Sequence, residues 1–302
     1  MQALNYDIEI ISAPSILGLK PSGVEDLGKS LIGSGLAGQL RSRYPIIHVP
    51  APNDLYNEKR DPETRCLNAG AIGNFSVALG KSVSHSISQK RFPFVLGGDC
   101  SILIGIMSAL KKEGNYGLIF LDAHADHYLP EQSITGEVAD MHLAIVTGKG
   151  PESLTNIDGL KPYVKEENVI HVGQRDWDET KKYGSADIRE TNIQCHSLAA
   201  IERDGIELTT SGILQDIEHT KVKSYWIHFD TDVLSDEINP AVDYRLPGGL
   251  TFSEAEHLLT SLLSTGKMAG ISVTIFNPHL DKDGSISRNI SGCLGRAFNN
   301  GT

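Results

Sequence analysis

The stretch Leu118-Ile119-Phe120-Leu121-Asp122-Ala123-His124-Ala125-Asp126 runs four apolar side chains straight into two carboxylates and an imidazole. Side chains of an extended chain alternate between faces, so Asp122, His124 and Asp126, spaced i, i+2, i+4, converge on one side as the strand gives way to its loop. The pattern returns downstream, where Tyr225-Trp226-Ile227-His228-Phe229 runs into Asp230-Thr231-Asp232. Carboxylates gathered at the tips of two buried strands repel one another unless a cation compensates. One Asp-x-Asp alone is equally well a helix cap or a solvated turn. Two of them, with Gly97-Gly98-Asp99 closing a third apolar run, point to a metal site.

Outward from these motifs the chain alternates strand and helix. Ile8-Glu9-Ile10-Ile11 reads as a strand, a Pro/Gly loop spans Pro14 to Gly23, and a helix is predicted from Val24 to Arg41. A short strand at Ile46-Ile47-His48-Val49 enters a polar loop from Pro50 to Pro62. Leu67, Ala71, Phe75, Ala78 and Leu79 make a buried stripe for a helix from Glu63 to Gln89. Phe92 to Leu96 is a strand that ends at Gly97-Gly98-Asp99-Cys100-Ser101, and Ile102 to Lys112 is a helix. Further strands are predicted at Leu118 to Leu121, Val169 to Gly173, Tyr225 to Phe229 and Ile271 to Phe276. Ser253 to Ser264 reads as a helix with Ser253 as N-cap and Glu256 completing a capping box. Such alternation gives an α/β fold with a mainly parallel sheet covered on both faces. In these sheets functional groups gather beyond the carboxyl ends of the strands, where every carboxylate motif here falls. Gly33-Ser34-Gly35 is not a phosphate loop, because no Lys-Ser/Thr follows it.

The 302 residues suffice for one large α/β domain, and no Pro/Ser-rich linker divides them. A formal net charge of -11 argues against a nucleic acid or an anionic membrane as partner and favours a small molecule. Cys66, Cys100, Cys195 and Cys293 are scattered without CxxC spacing, as expected of free thiols in a reducing compartment. The N-terminus has no basic segment leading an apolar core, and no stretch reaches the ~18 apolar residues of a membrane span. A cytoplasmic location is expected.

Gly97-Gly98-Asp99-Cys100-Ser101, Asp122-Ala123-His124-Ala125-Asp126 and Phe229-Asp230-Thr231-Asp232 resemble, in order and spacing, the arginase/agmatinase/formiminoglutamase (ureohydrolase) family. Val172-Gly173-Gln174-Arg175-Asp176 and Gly248-Gly249-Leu250-Thr251 are also similar to it, so the resemblance covers nearly the whole chain. It implies one catalytic domain over residues 1–302, a three-layer α/β/α fold with about eight mainly parallel strands, two Mn²⁺ ions, and assembly as a homo-oligomer, trimer or hexamer. Carried over by position, Asp122, His124, Asp126, Asp230 and Asp232 are metal ligands. Cys100 stands where most members have a histidine. It either ligates as a thiolate, which shifts the preference toward Zn²⁺ or another softer ion, or is a small buried residue beside a weak site. The implied activity is metal-assisted hydrolysis of a C–N bond in a linear amidine, a guanidino or formimino compound, with Asp126 orienting the attacking water.

Two departures bear on the substrate. The family's proton-shuttling histidine has Ala139 in its register, and His142, three residues on, is the nearest replacement candidate. The carboxylate that arginases place before Asn-Pro is absent from Ile271-Ser272-Val273-Thr274-Ile275-Phe276-Asn277-Pro278, so a guanidinium lacks its bidentate partner there. Asp176, Glu137, Asp243 and Glu237 are the substitutes on offer, with Asp176 the substrate-side candidate from the resemblance. Tyr128, after an agmatinase-like His127, either lines the pocket or covers the sheet edge. Arg245 either binds a substrate carboxylate or pairs with Asp243. Two rival readings remain: a single-metal, deacetylase-like amide hydrolase using Asp122, His124 and Asp230, and a regulatory member of the fold that has lost turnover.

Overall fold

The structure, a computed structural model, describes residues 6–51 and 56–300; the N-terminal reading over residues 1–5 and part of the polar loop, residues 52–55, lie outside the described residues. Eight strands, β1 (Ile8–Ser12), β2 (Ile47–His48), β3 (Phe92–Leu96), β4 (Gly117–Leu121), β5 (Val169–Val172), β6 (Gln194–His196), β7 (Tyr225–Asp230) and β8 (Met268–Thr274), form one sheet. Their order is β2-β1-β3-β8-β7-β4-β5-β6, and every pairing is parallel.

The two-residue period divides the core. Ile119, Leu121, Ile227 and Phe229 face one helical layer, which includes Phe252–Ser264 and Ser285–Asn300. Leu118, Phe120 and Trp226 face the other, built on Ala69–Ser88 and Ile102–Glu113. Strands covered on both faces read as unbroken apolar runs, which is why β3 and β4 were visible without alternation. The result is the expected three-layer α/β/α arrangement.

The differences from expectation are local and have backbone causes. The Val24 to Arg41 helix is split into a 3-10 turn, Leu27–Gly33 and Leu36–Gln39, because Gly35 turns left-handed at φ 89°. The helix expected from Glu63 starts only at Ala69, after Arg65 and Asn68 adopt positive φ. The capping box lies two residues early: Glu254 N–H donates to Thr251 Oγ1 (3.2 Å) and Thr251 N–H to Glu254 Oε2 (2.8 Å), leaving Ser253 inside the helix. β6 was not foreseen, since its three half-buried residues at the sheet edge carry no apolar run.

The turn after β3 positions the site. A Cβ at Gly98 would sit 1.9 Å from the Ser15 carbonyl oxygen. The same oxygen accepts from Asp99 N–H (2.9 Å), while Gly98 O accepts from Ile275 N–H (2.9 Å). Only a residue without a side chain lets three backbone segments meet here. Gly98→Ala is therefore expected to destabilise the protein by about 2–3 kcal/mol, read from urea unfolding; an unchanged midpoint would show that the loops part freely.

Candidate metal centre

β4 and β7 are neighbours with Leu121 opposite Phe229, so the residues that follow, Asp122 and Asp230, emerge side by side. Each carboxylate then folds its own motif back. Asp122 Oδ1 accepts from His124 N–H (2.7 Å), and Asp230 Oδ1 accepts from Asp232 N–H (2.9 Å). These local turns keep the i+2 donor on the side of the first. Asp232 joins the two strand tips, taking Ala123 N–H on Oδ1 (3.0 Å) and His124 Nδ1 on Oδ2 (2.9 Å). His171 Nε2–H donates to His124 O (2.8 Å) and fixes the loop from below. Asp126 follows in a left-handed conformation, φ 44°, a strained geometry for a residue with a side chain. From β3, Cys100 brings its Sγ to 2.7 Å from Asp230 Oδ2 and 3.0 Å from Thr274 Oγ1.

All six residues expected as metal ligands come together. Asp122, His124 and Asp232 offer ligand atoms within 4.8 Å of one another, as do Asp122, Asp126 and His142, Asp122, His228 and Asp230, and Cys100, His142 and His228. His228 was missed as a candidate donor because it sits inside an apolar strand. The two-residue period was the available signal, since it puts His228 on the face of Asp230. His142 lies beneath the floor rather than on a cavity wall: it is fully buried, with Nδ1 2.8 Å from Ala139 O and 3.4 Å from Asp126 Oδ2.

Burial, with Asp232 adding repulsion, pushes Asp122 up to about 7. Burial and the neighbouring carboxylates hold Asp126 and Asp230 well above the ordinary range. Asp232 differs: burial opposes its charge, but His124 and the Ala123 N–H outweigh that and bring it down. Burial works against His124 too, yet Asp232 and Asp122 raise it. Burial drives His142 and His171 down to about 4 and His228 well below its usual value. The Cys100 thiol is raised by burial and then by Asp230 and Asp122. Four acids and a thiol packed this closely hold together through retained protons or through cations. Asp122 Oδ2, His142 Nε2 and His228 Nε2 are buried without a hydrogen-bond partner among the described residues, so the donor set fits divalent metal.

Above this floor opens a cavity of about 280 Å³, onto which Cys100, His124, Asp126, Asp230 and Asp232 face. Tyr128 and Asp176 line one wall. Both Asp176 oxygens are held, by Ala125 N–H (3.0 Å) and by Gln174 Nε2–H (2.8 Å). Glu137 and Asp243 also face the cavity, the former accepting from Tyr244 O–H (2.8 Å), whereas Glu237 is exposed elsewhere. Ala139, Ile275 and Leu19 form an apolar side of the cavity and cluster with the buried Val242. Ile275 holds φ 73°, an outlier for a β-branched residue. Arg245 pairs with Asp236 (2.8 Å), not with Asp243, and its side chain is exposed at the surface. His127 is buried outside the cavity lining.

A parallel sheet between two helical layers, with an acidic, imidazole-bearing cleft beyond its carboxyl ends, defines an arginase-like α/β/α fold. The chain belongs to the arginase family, whose model matches residues 48–295. It is 32% identical over 300 residues to an arginase of Staphylococcus aureus (strain COL), with 96% of each chain covered. The native arginase structure from Bacillus caldovelox superposes with a TM-score of 0.87 at 27% identity, covering 97% of this chain and 98% of that one. Formimidoylglutamase from Bacillus subtilis shares the fold, with a TM-score of 0.72 at 19% identity over 98% of this chain and 87% of that one.

Proposed function

We propose that the chain is a metal-dependent hydrolase of a C–N bond in a linear amidine, a guanidino or formimino compound, and that residues 1–302 form one catalytic domain. The observation that carries this reading is Asp232, which ties His124 and the Ala123 backbone of one motif to the other motif at the floor of an acidic cavity. Cys100, Asp122, His124, Asp126, Asp230 and Asp232 would hold the metal, two Mn²⁺ or, given the thiol, Zn²⁺ or another divalent ion. Bound divalent metal supplies the charge that lowers the pKa of water and polarises the reacting carbon.

The chain's own groups do the rest. Asp126, raised by burial and facing the cavity, takes the proton of the attacking water and returns it toward the leaving amine. His142 handles protons only by way of Asp126, 3.4 Å from its Nδ1. Tyr128 and Asp176 bound the substrate, and Asp176 has its carboxylate aimed by two hydrogen bonds. With Ile275 in the apolar side, a cationic amidine is balanced instead by Glu137 and Asp243, which line the cavity together with Asp176. The names of the relatives make L-arginine one member of the substrate panel, alongside agmatine-like and formimino compounds. A homo-oligomer, trimer or hexamer, and a cytoplasmic location complete the proposal. Among the described residues no helix is long and apolar enough to cross a membrane.

The test is a panel of guanidino and formimino compounds offered to protein loaded with Mn²⁺ or Zn²⁺, with urea, ammonia and formamide measured. Metal-dependent release from at least one compound is expected. Absence of turnover on all of them defeats the proposal and leaves the regulatory reading, while about one ion per active chain favours the single-metal amide hydrolase.

A further inference from the structure

Beneath the carboxylates lies a cluster of sulfur and nitrogen donors, two of which, His142 and His228, are outside the ligand set proposed for hydrolysis. Cys100, His142 and His228 come from three separate segments, the loop after β3, the helix His142–Val146 and the middle of β7. Each offers a ligand atom within 4.8 Å of the other two, and all three side chains are buried. His142 Nδ1 lies 2.8 Å from the Ala139 carbonyl, which only accepts, so the proton is on Nδ1 and the lone pair on Nε2. His228 Nδ1 is 2.9 Å from Ser272 Oγ, a hydroxyl that accepts from Trp226 Nε1–H (3.0 Å) and is able either to donate to the ring or to accept from it. Metal binding selects the tautomer whose Nδ1–H donates to Ser272, in which His228 likewise presents an Nε2 lone pair. Neither Nε2 has a hydrogen-bond partner among the described residues, although both are fully buried. The two rings stand edge to face at 5.1 Å, and Phe120 packs against both at 5.1 Å, so neither is free to swing away.

We propose that Cys100, His142 and His228 form a thiolate–bis-imidazole site for a divalent metal of borderline softness such as zinc or cobalt, with Asp230 as the adjacent fourth donor. One sulfur and two neutral imidazoles are the donors such ions prefer, whereas a manganese-type ion favours oxygen. Metal–sulfur and metal–nitrogen bonds of about 2.3 and 2.1 Å at tetrahedral angles place such donors about 3.4–3.6 Å apart, inside the 4.8 Å that bounds the triad, so the three ligands draw together on loading. Metal replaces the thiol proton, which is released to solvent, and the S–H···Asp230 contact becomes a shared ligand edge. Ala139 O, Ser272 Oγ and Thr274 Oγ1 are already placed as the outer partners that orient the three ligands. The inference shares Cys100 with the proposed hydrolytic centre and rests on it there, but it requires no turnover.

The test loads the full-length, metal-free protein with Co²⁺ and follows the thiolate-to-cobalt charge-transfer absorption. A band saturating at one equivalent is expected, lost in Cys100→Ser, kept in Asp232→Asn, and formed with at least about 10-fold weaker affinity in His142→Asn and His228→Asn. No band in the wild type, or a band with affinity unchanged in both histidine variants, overturns the site. Should those variants fail to fold, X-ray absorption of the zinc-loaded wild type decides: one sulfur with two imidazoles supports the site, and an oxygen-dominated shell refutes it. A band without amidine hydrolysis would defeat the proposed function and leave this site standing.

Discussion

Asp232→Ala is expected to lower divalent-metal affinity by more than the about 10–100-fold typical of losing an outer-shell partner, and to abolish metal-dependent turnover with it. Three consequences follow from removing that one carboxylate. A candidate ligand disappears, His124 Nδ1 loses a partner 2.9 Å away, and the Ala123 N–H loses its acceptor. The last two are what hold the β4 tip against the β7 tip, so the damage reaches His124 and Asp122 as well. Elemental analysis after dialysis, alongside far-UV circular dichroism, checks the outcome. A folded variant with unchanged metal content would remove Asp232 from the ligand set.

Metal removal from the wild type is the second large effect, and its size should depend on pH. A carboxyl whose folded pKa is raised stabilises the fold fully below its unfolded value, 3.8, and the contribution is lost as pH rises through the folded value, about 7 for Asp122. Asp126 and Asp230 shift in the same direction. His142 and His171 oppose them: brought down to about 4, they contribute stability above 6.5 that is lost as the pH falls. Above 6.5 the carboxyls and His124, itself raised well above its usual value, act in the same direction, and the metal-free protein should melt at progressively lower temperature up to about pH 8. Saturating metal replaces the lost protons. At about 100 times its dissociation constant it adds about 2.7 kcal/mol, which for a chain of this size is a rise of about 4 °C. The rise should grow between pH 6.5 and about 8. A metal-induced shift that is flat over that window would mean that the buried acids are not where the ion sits.

Much of the scaffold was legible because its signals are local. β3 and the helix that follows it are bounded by Gly97-Gly98 and Gly114, and both flanking patterns are uninterrupted, so their limits fall within a residue of expectation. The helix at Val24 was overextended because Gly33-Ser34-Gly35 is compatible with either a continuous helix or a break, and the left-handed turn at Gly35 is a tertiary choice. β6 escaped because an edge strand with half-buried residues needs no apolar run. In the site, the alternating carboxylates were readable from spacing alone. The pairing of Arg245 with Asp236, the turning of Glu237 to the surface and the burial of His142 under Asp126 were not, since each depends on how loops cross.

By itself the sequence determined that apolar runs would end in convergent acids at one rim of a parallel sheet, because strand periodicity dictates which side chains share a face. Only the tertiary structure decided which strands lie next to each other. Placing β7 between β4 and β8 puts Asp230 beside Asp122 and Thr274, and puts His228 under both, within reach of Cys100 and His142. Strand order is set by long-range packing of two helical layers, and no local pattern along the chain encodes the neighbours that order creates.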